Sequence, residues 1–171
     1  MVALTLTLSA CSASTDQTRD DDRPLVLTTF TVLADMTRNV ADGRVQVASL
    51  TRPGAEIHGY EPTPDDLVRG QNADLILENG LGLEAWFSQF TAQVQAPTAQ
   101  LSDGVQTIPI SSGEHQGQPN PHAWMSPDNA HIYVDNIRHA LTELDPEGES
   151  TYTEAAQTYK DQISEVGDYL R

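Results

Sequence analysis

The sequence predicts an α/β fold: a parallel-sheet, Rossmann-like lobe covered by helices on both faces and ending in a long connector helix. Three observations carry this. Between residues 24 and 148 short β-rich apolar runs alternate with segments whose apolar residues recur at helical spacing, the pattern of strands joined by crossover helices. The run Leu75-Ile-Leu77 has no polar residue in alternation and so reads as a strand buried on both faces. The last third keeps a helical repeat almost to the end of the chain.

In order, Leu25-Val-Leu-Thr-Thr-Phe30 is the first strand, and Val32 to Ala41 continues as a helix with Thr31 as its capping candidate. Val45 to Leu50 is the second strand. Thr63-Pro-Asp-Asp66 opens a helix with a capping hydroxyl, a proline at the first helical position and two acids where the helix dipole favours negative charge. Asp74 to Glu78 is the third strand, and the helix after it is expected to carry Leu83, Trp86, Phe87, Phe90 and Val94 on one face. Val105 to Ile110 is the expected fourth strand. Ser126 caps and Pro127 opens a helix whose Ala130, Tyr133, Val134, Ile137, Leu141 and Leu144 repeat at three and four residues. Asp145-Pro-Glu-Gly148 breaks it. A last helix from Glu149 to Arg171 places Tyr152, Ala155, Ala156, Tyr159, Ile163, Val166 and Leu170 on one face, so the chain is expected to end inside a helix.

The 171 residues suffice for one well-cored domain with an appendage. With 25 acidic against 9 basic residues the formal charge is −16, and no basic stripe exists to displace counterions from phosphates, which argues against nucleic acid as a partner. The acidity, with Lys160 the only lysine, reads as solubility or adaptation to a salty medium. No stretch reaches the ~18 apolar residues of a spanning helix.

Residues 1–10 form an apolar, hydroxyl-bearing signal segment running into Leu8-Ser-Ala-Cys11, which looks like the lipobox of a bacterial lipoprotein. In such proteins cleavage precedes the cysteine and its sulfur carries diacylglycerol. Residues 11–23, rich in Ser, Thr and Asp, bury too little to fold and read as a flexible tether. A processed Cys11 is then a membrane anchor, two acyl chains giving stable attachment where one is marginal. As the only cysteine it has no partner for an internal disulfide.

Two histidines sit in proline-bracketed turns: His58 in Glu56-Ile-His-Gly-Tyr-Glu-Pro-Thr-Pro64, and His122 in Asn120-Pro-His-Ala-Trp-Met-Ser-Pro127. Proline fixes φ beside each ring, and a stiff loop suits a metal ligand because little entropy remains to be lost when an ion binds. His58 follows the second strand and His122 the fourth, so both face the rim at the strands' C-terminal ends, where ligands of open α/β sheets bind. Phe30, Thr31 and Glu78-Asn79-Gly80 line the same rim without a ligand role of their own. Glu61 is a candidate for orienting His58 from behind, and Trp124, like Tyr60, for supporting a ligand loop by packing. His115, His131 and His139 read as surface residues.

Together Ile57-His-Gly-Tyr-Glu-Pro62, Asn120-Pro-His-Ala-Trp124 and Thr28-Thr-Phe-Thr-Val-Leu-Ala-Asp35 resemble the metal-specific solute-binding proteins of bacterial ABC transporters. The resemblance spans nearly all of residues 24–171. It implies an extracytoplasmic, periplasmic or cell-surface protein that captures divalent manganese, zinc or iron and delivers it to a permease, with no catalytic role. It also implies two α/β lobes joined by a rigid helix, with the metal between them. On that pattern His58 and His122 are the metal ligands of the N-terminal lobe, residues 24–148 are that lobe, and 149–171 begin the interlobe helix. The second lobe and its ligands, a carboxylate or histidine and an aspartate, are then absent, as in a fragment. Zinc-type relatives commonly carry a histidine-rich loop between the two motifs. Here Gly113-Glu-His-Gln-Gly117 holds one histidine, which leans toward manganese or iron.

Two other classes compete. A metal-dependent hydrolase half-domain would place histidines on the same rim, but no His-Glu-x-x-His helix, phosphate-cradling glycine loop or Gly-x-Ser-x-Gly elbow is present. A lipid-anchored adhesin or interaction domain fits the lipobox and the acidity but leaves the paired histidines unexplained.

Overall fold

The computed structural model describes residues 22–170, so the lipobox and Cys11 lie outside the described residues. Strands β1 (Leu25–Thr28), β2 (Gln46–Ser49), β3 (Leu75–Glu78) and β4 (Thr98–Gln100) form one parallel sheet in the order β2-β1-β3-β4. The helices are α1 (Thr31–Ala41), α2 (Pro64–Gln71), α3 (Phe87–Thr91), α4 (Pro127–Leu144) and α5 (Glu149–Tyr169), with single 3-10 turns at Ala123–Met125 and Pro146–Gly148.

The two-residue period of a strand divides the core. Val26, Leu75 and Leu77 point to one face, where Leu33, Met36 and Val40 of α1, Tyr133, Val134, Ile137 and Leu141 of α4, and Tyr152 and Ala156 of α5 cover them. Leu27 and Ile76 point to the other, under Trp86, Phe87, Phe90 and Val94, with Leu67 of α2 against them. Gly70 lets α2 approach this second cluster, since an added Cβ would stand 2.6 Å from Phe90 Cζ and 2.8 Å from Val94 Cγ1. The expected capping of α2 is present in full: Thr63 Oγ1 accepts from the Asp66 backbone N–H, and Asp66 Oδ2 accepts from that of Thr63.

Several elements differ from expectation. The fourth strand is Thr98–Gln100, not Val105–Ile110. It follows Pro97 at the sheet edge, where pairing with Ile76 to Glu78 needs no apolar side chains. Residues 105–110 instead fold back on 117–120, joined by Ile110 N to Gln118 O at 2.8 Å and Asn120 N to Ile108 O at 2.9 Å, with Ile108 70% exposed. The helix after β3 is only five residues long, because positive φ at Gly80, Leu81 and Gly82 keeps its approach in turns. Leu83 consequently packs on the opposite face from Trp86 and Phe90. The capping position of α1 belongs to Phe30 rather than Thr31 and makes no side-chain hydrogen bond. His131 is half-buried rather than a surface residue, its Nε2 lying 3.1 Å from Lys160 O and 3.2 Å from Ser164 Oγ. Val166 and Leu170, placed on the apolar face of the last helix by the sequence, are exposed at its C-terminal end. Among the described residues no helix is long and apolar enough to cross a membrane.

Candidate metal centre

The His58 turn leaves β2 and enters α2. Tyr60 Oη donates to Asp66 Oδ2 at 2.8 Å, tying the turn to the helix cap, and Arg69 Nη2 donates to Ser49 O at 2.6 Å at the end of β2. Burial first, then the bond to Asp66, pushes the Tyr60 hydroxyl up to about 12, so it remains a donor throughout the neutral range. The His122 turn arrives by the long excursion after β4 and runs straight into α4. Both histidines are exposed, and their ring centroids are 5.4 Å apart at an interplanar angle of 59°.

The two turns share one local device. A side-chain oxygen two residues upstream accepts the histidine's own backbone N–H: Glu56 Oε1 for His58 at 2.9 Å, and Asn120 Oδ1 for His122 at 3.0 Å. At His122 this fixes more than the backbone. Because a backbone N–H can only donate, the Asn120 atom facing it is the oxygen, and that same oxygen lies 3.0 Å from His122 Nδ1. Nδ1 therefore carries the ring proton, and Nε2 keeps its lone pair for an ion. Burial, and secondly the neighbouring His58, hold the His122 ring below the usual imidazole value, so it is neutral near pH 7.

Behind the pair lies a buried polar network. Asn79, fully buried at the end of β3, donates from Nδ2 to Gly80 O at 2.8 Å and to Pro121 O at 3.0 Å. It accepts at Oδ1 from Tyr133 Oη at 2.6 Å and donates its backbone N–H to Glu84 Oε1 at 2.8 Å. Glu84 also accepts from Thr29 Oγ1 at 2.6 Å and from Gly80 N at 3.2 Å; burial raises its carboxyl above the ordinary range against the pull of these bonds. Glu78 is pushed up to about 7, by burial and then by Glu84 and Asp103. On the His58 side, Trp86 Nε1 donates to Ile57 O at 2.9 Å and meets Tyr60 edge-on at 5.2 Å.

The structure thus brings His58 and His122 together, with Trp124 between Phe30 and His122 at centroid distances of 5.0 and 5.4 Å. Glu61 is exposed, and among the described residues no hydrogen bond joins it to His58; Glu56 is the acid bonded to that turn. His115 and His139 are exposed, the latter 3.6 Å from Glu143. Among the described residues no group of three or more His, Cys, Asp or Glu gathers as for a metal ion. Sequence reasoning gave Asn79 only a shaping role and passed over Glu84, although a glutamate amid apolar residues, five positions after an asparagine that ends a strand, was the available signal.

Residues 26–171 match the family described as zinc-uptake complex component A, periplasmic. The iron-binding protein YfeA of Yersinia pestis is 48% identical over 85% of this chain and 47% of its own length. The manganese ABC transporter substrate-binding lipoprotein PsaA of Streptococcus pneumoniae is 34% identical over 96% of this chain and 56% of its own. Among solved structures, the manganese-bound periplasmic metal-binding protein of Candidatus Liberibacter asiaticus superposes with a TM-score of 0.75 at 39% identity, over 82% of this chain and 53% of that one. The chain spans about half the length of the curated relatives it matches.

Proposed function

The chain belongs to the periplasmic zinc-uptake component A family, and from that membership we propose that it captures a divalent manganese, iron or zinc ion outside the cytoplasm for delivery to an ABC transporter permease. The observation that carries this is the convergence of two imidazoles at 5.4 Å on the sheet rim, with Nε2 of His122 left bare by the Asn120 bond. Neutral imidazole nitrogens suit first-row divalent ions, and geometry rather than raw affinity must then choose among them. Relatives named for iron and manganese, and the single histidine of the 113–117 loop, favour those two metals.

In this reading residues 24–148 are a metal-binding lobe and 149–171 the beginning of an interlobe helix, so the ion's remaining ligands come from elsewhere. The protein acts as a carrier and not a catalyst. Cys11, after cleavage of residues 1–10, anchors it to the membrane through the 11–23 tether, as the lipoprotein naming of several relatives suggests. Titration calorimetry with Mn²⁺ tests the site. His58→Ala and His122→Ala should each abolish the binding seen with the unaltered chain, and undiminished binding by either variant refutes the assignment.

A further inference from the structure

Each histidine is preceded by a residue whose backbone carbonyl is held by a side-chain N–H, and both donors belong to one short segment. Asn79 Nδ2 reaches Pro121 O at 3.0 Å, and Trp86 Nε1 reaches Ile57 O at 2.9 Å. These carbonyls lie one peptide plane from the α-carbons of His122 and His58. Holding each oxygen therefore fixes the plane from which the imidazole departs. Resting on the functional reading above, we propose that the β3–α3 turn is a jig for the metal pair: Asn79 and Trp86 are positioning residues that set the separation of the two imidazoles.

Both donors are themselves immobilised. Asn79 uses every polar atom it has: besides the bonds already given, its carbonyl accepts from Ser102 N at 3.2 Å. Trp86 is wedged among Tyr60, Phe87 and Phe90, with ring centroids at 5.2 to 5.9 Å. Glu84 lies between the two in sequence and closes the turn by accepting the N–H groups of Asn79 and Gly80. A buried amide with both of its polar atoms bonded specifies one arrangement of the segments that it joins, here the ends of β3, the His122 turn and α4. Nitrogen ligands stand at roughly 2.0–2.2 Å from a first-row ion, so a fixed spacing of donors is worth affinity.

Calorimetric Mn²⁺ titration of the whole chain tests this with Trp86→Phe, which removes the indole donor, and Tyr133→Phe, which removes the hydroxyl that orients Asn79. Urea unfolding of the same samples records stability. Each variant should lose roughly 10-fold or more in affinity, as outer-sphere changes commonly do. The double variant should lose less than the product of the two, because releasing either histidine already releases their separation. Val94→Ala, in the same apolar cluster as Trp86 but donating to neither carbonyl, should cost stability with affinity within about twofold of the unaltered chain. Unchanged affinity in both single variants, or losses that multiply, would overturn the proposal alone. His58→Ala binding like the unaltered chain would overturn the functional reading and this inference together.

Discussion

Replacing Gly80 by alanine should destabilise the fold about twice as much as the same change at Gly82, two residues along the same turn. Both glycines hold positive φ, +81° and +75°, where a Cβ costs roughly 1–2 kcal/mol. Lower chain entropy in the unfolded state returns about 0.4–1 kcal/mol of that. At Gly82 nothing lies within 4 Å of the new carbon, so the net cost is about 1 kcal/mol. At Gly80 the Cβ falls on the Gln100 side chain, 2.6 Å from Oε1, and Gln100 must swing away. That movement breaks its bonds to Asp103 Oδ1 at 2.9 Å and Ser102 Oγ at 3.3 Å, adding about 1 kcal/mol because both are at least partly exposed. For a chain of this size the melting temperature should fall about 4–8 °C at Gly80 and about 2–4 °C at Gly82. Urea titration of the metal-free protein with a common m-value is the assay. Equal losses at the two positions, or none at Gly80, would refute the contact with Gln100 as the source of the difference.

Asp145 sets a pH dependence. The Tyr152 hydroxyl at 2.7 Å first, against a smaller opposing cost of burial, and then the Arg44 guanidinium at 2.8 Å hold its carboxyl below the ordinary 3.8. A lowered folded-state value means that this stabilisation is complete above 3.8 and is lost as pH falls through the lower value, so Asp145→Asn should flatten the acid limb of the stability curve in urea titrations at stepped pH. An unaltered acid limb would remove Asp145 as the cause. In cells, Cys11→Ala should move the protein from membranes to the soluble extracytoplasmic fraction; equal membrane association of both forms would refute the anchor.

The fold was legible where local chemistry and burial agree. Thr63, Pro64 and Asp66 mark a helix start by contacts within four residues, and Leu75 to Leu77 announce a strand covered on both faces. The fourth strand escaped because Thr98-Ala-Gln100 earns its place through backbone pairing at an edge, while Val105 to Ile110 have the composition of a strand but pair with residues 117–120 outside the sheet. The meeting of the His58 and His122 turns at one rim was readable from their places beyond strand ends. What holds those turns was not, because the bonds from Asn79 to Pro121 and from Trp86 to Ile57 span 42 and 29 residues and leave no periodic trace.

The strand order also dictates how the molecule can be assembled. β1, the first of the described strands to be made, lies in the interior of the sheet; β2 adds to one of its sides, β3 to the other, and β4 to β3, so each described strand docks on an edge that already exists when it is synthesised. Nothing needs to be threaded or inserted. The face bearing Val26, Leu75 and Leu77 is nevertheless roofed by α1 alone until α4 and α5 arrive from the last third of the chain. The same late step delivers Tyr133 to Asn79 and so fastens the turn of His122. A nascent chain therefore holds all four described strands before the turn of His122 is fastened, and the proposed metal pair is set only once α4 has docked.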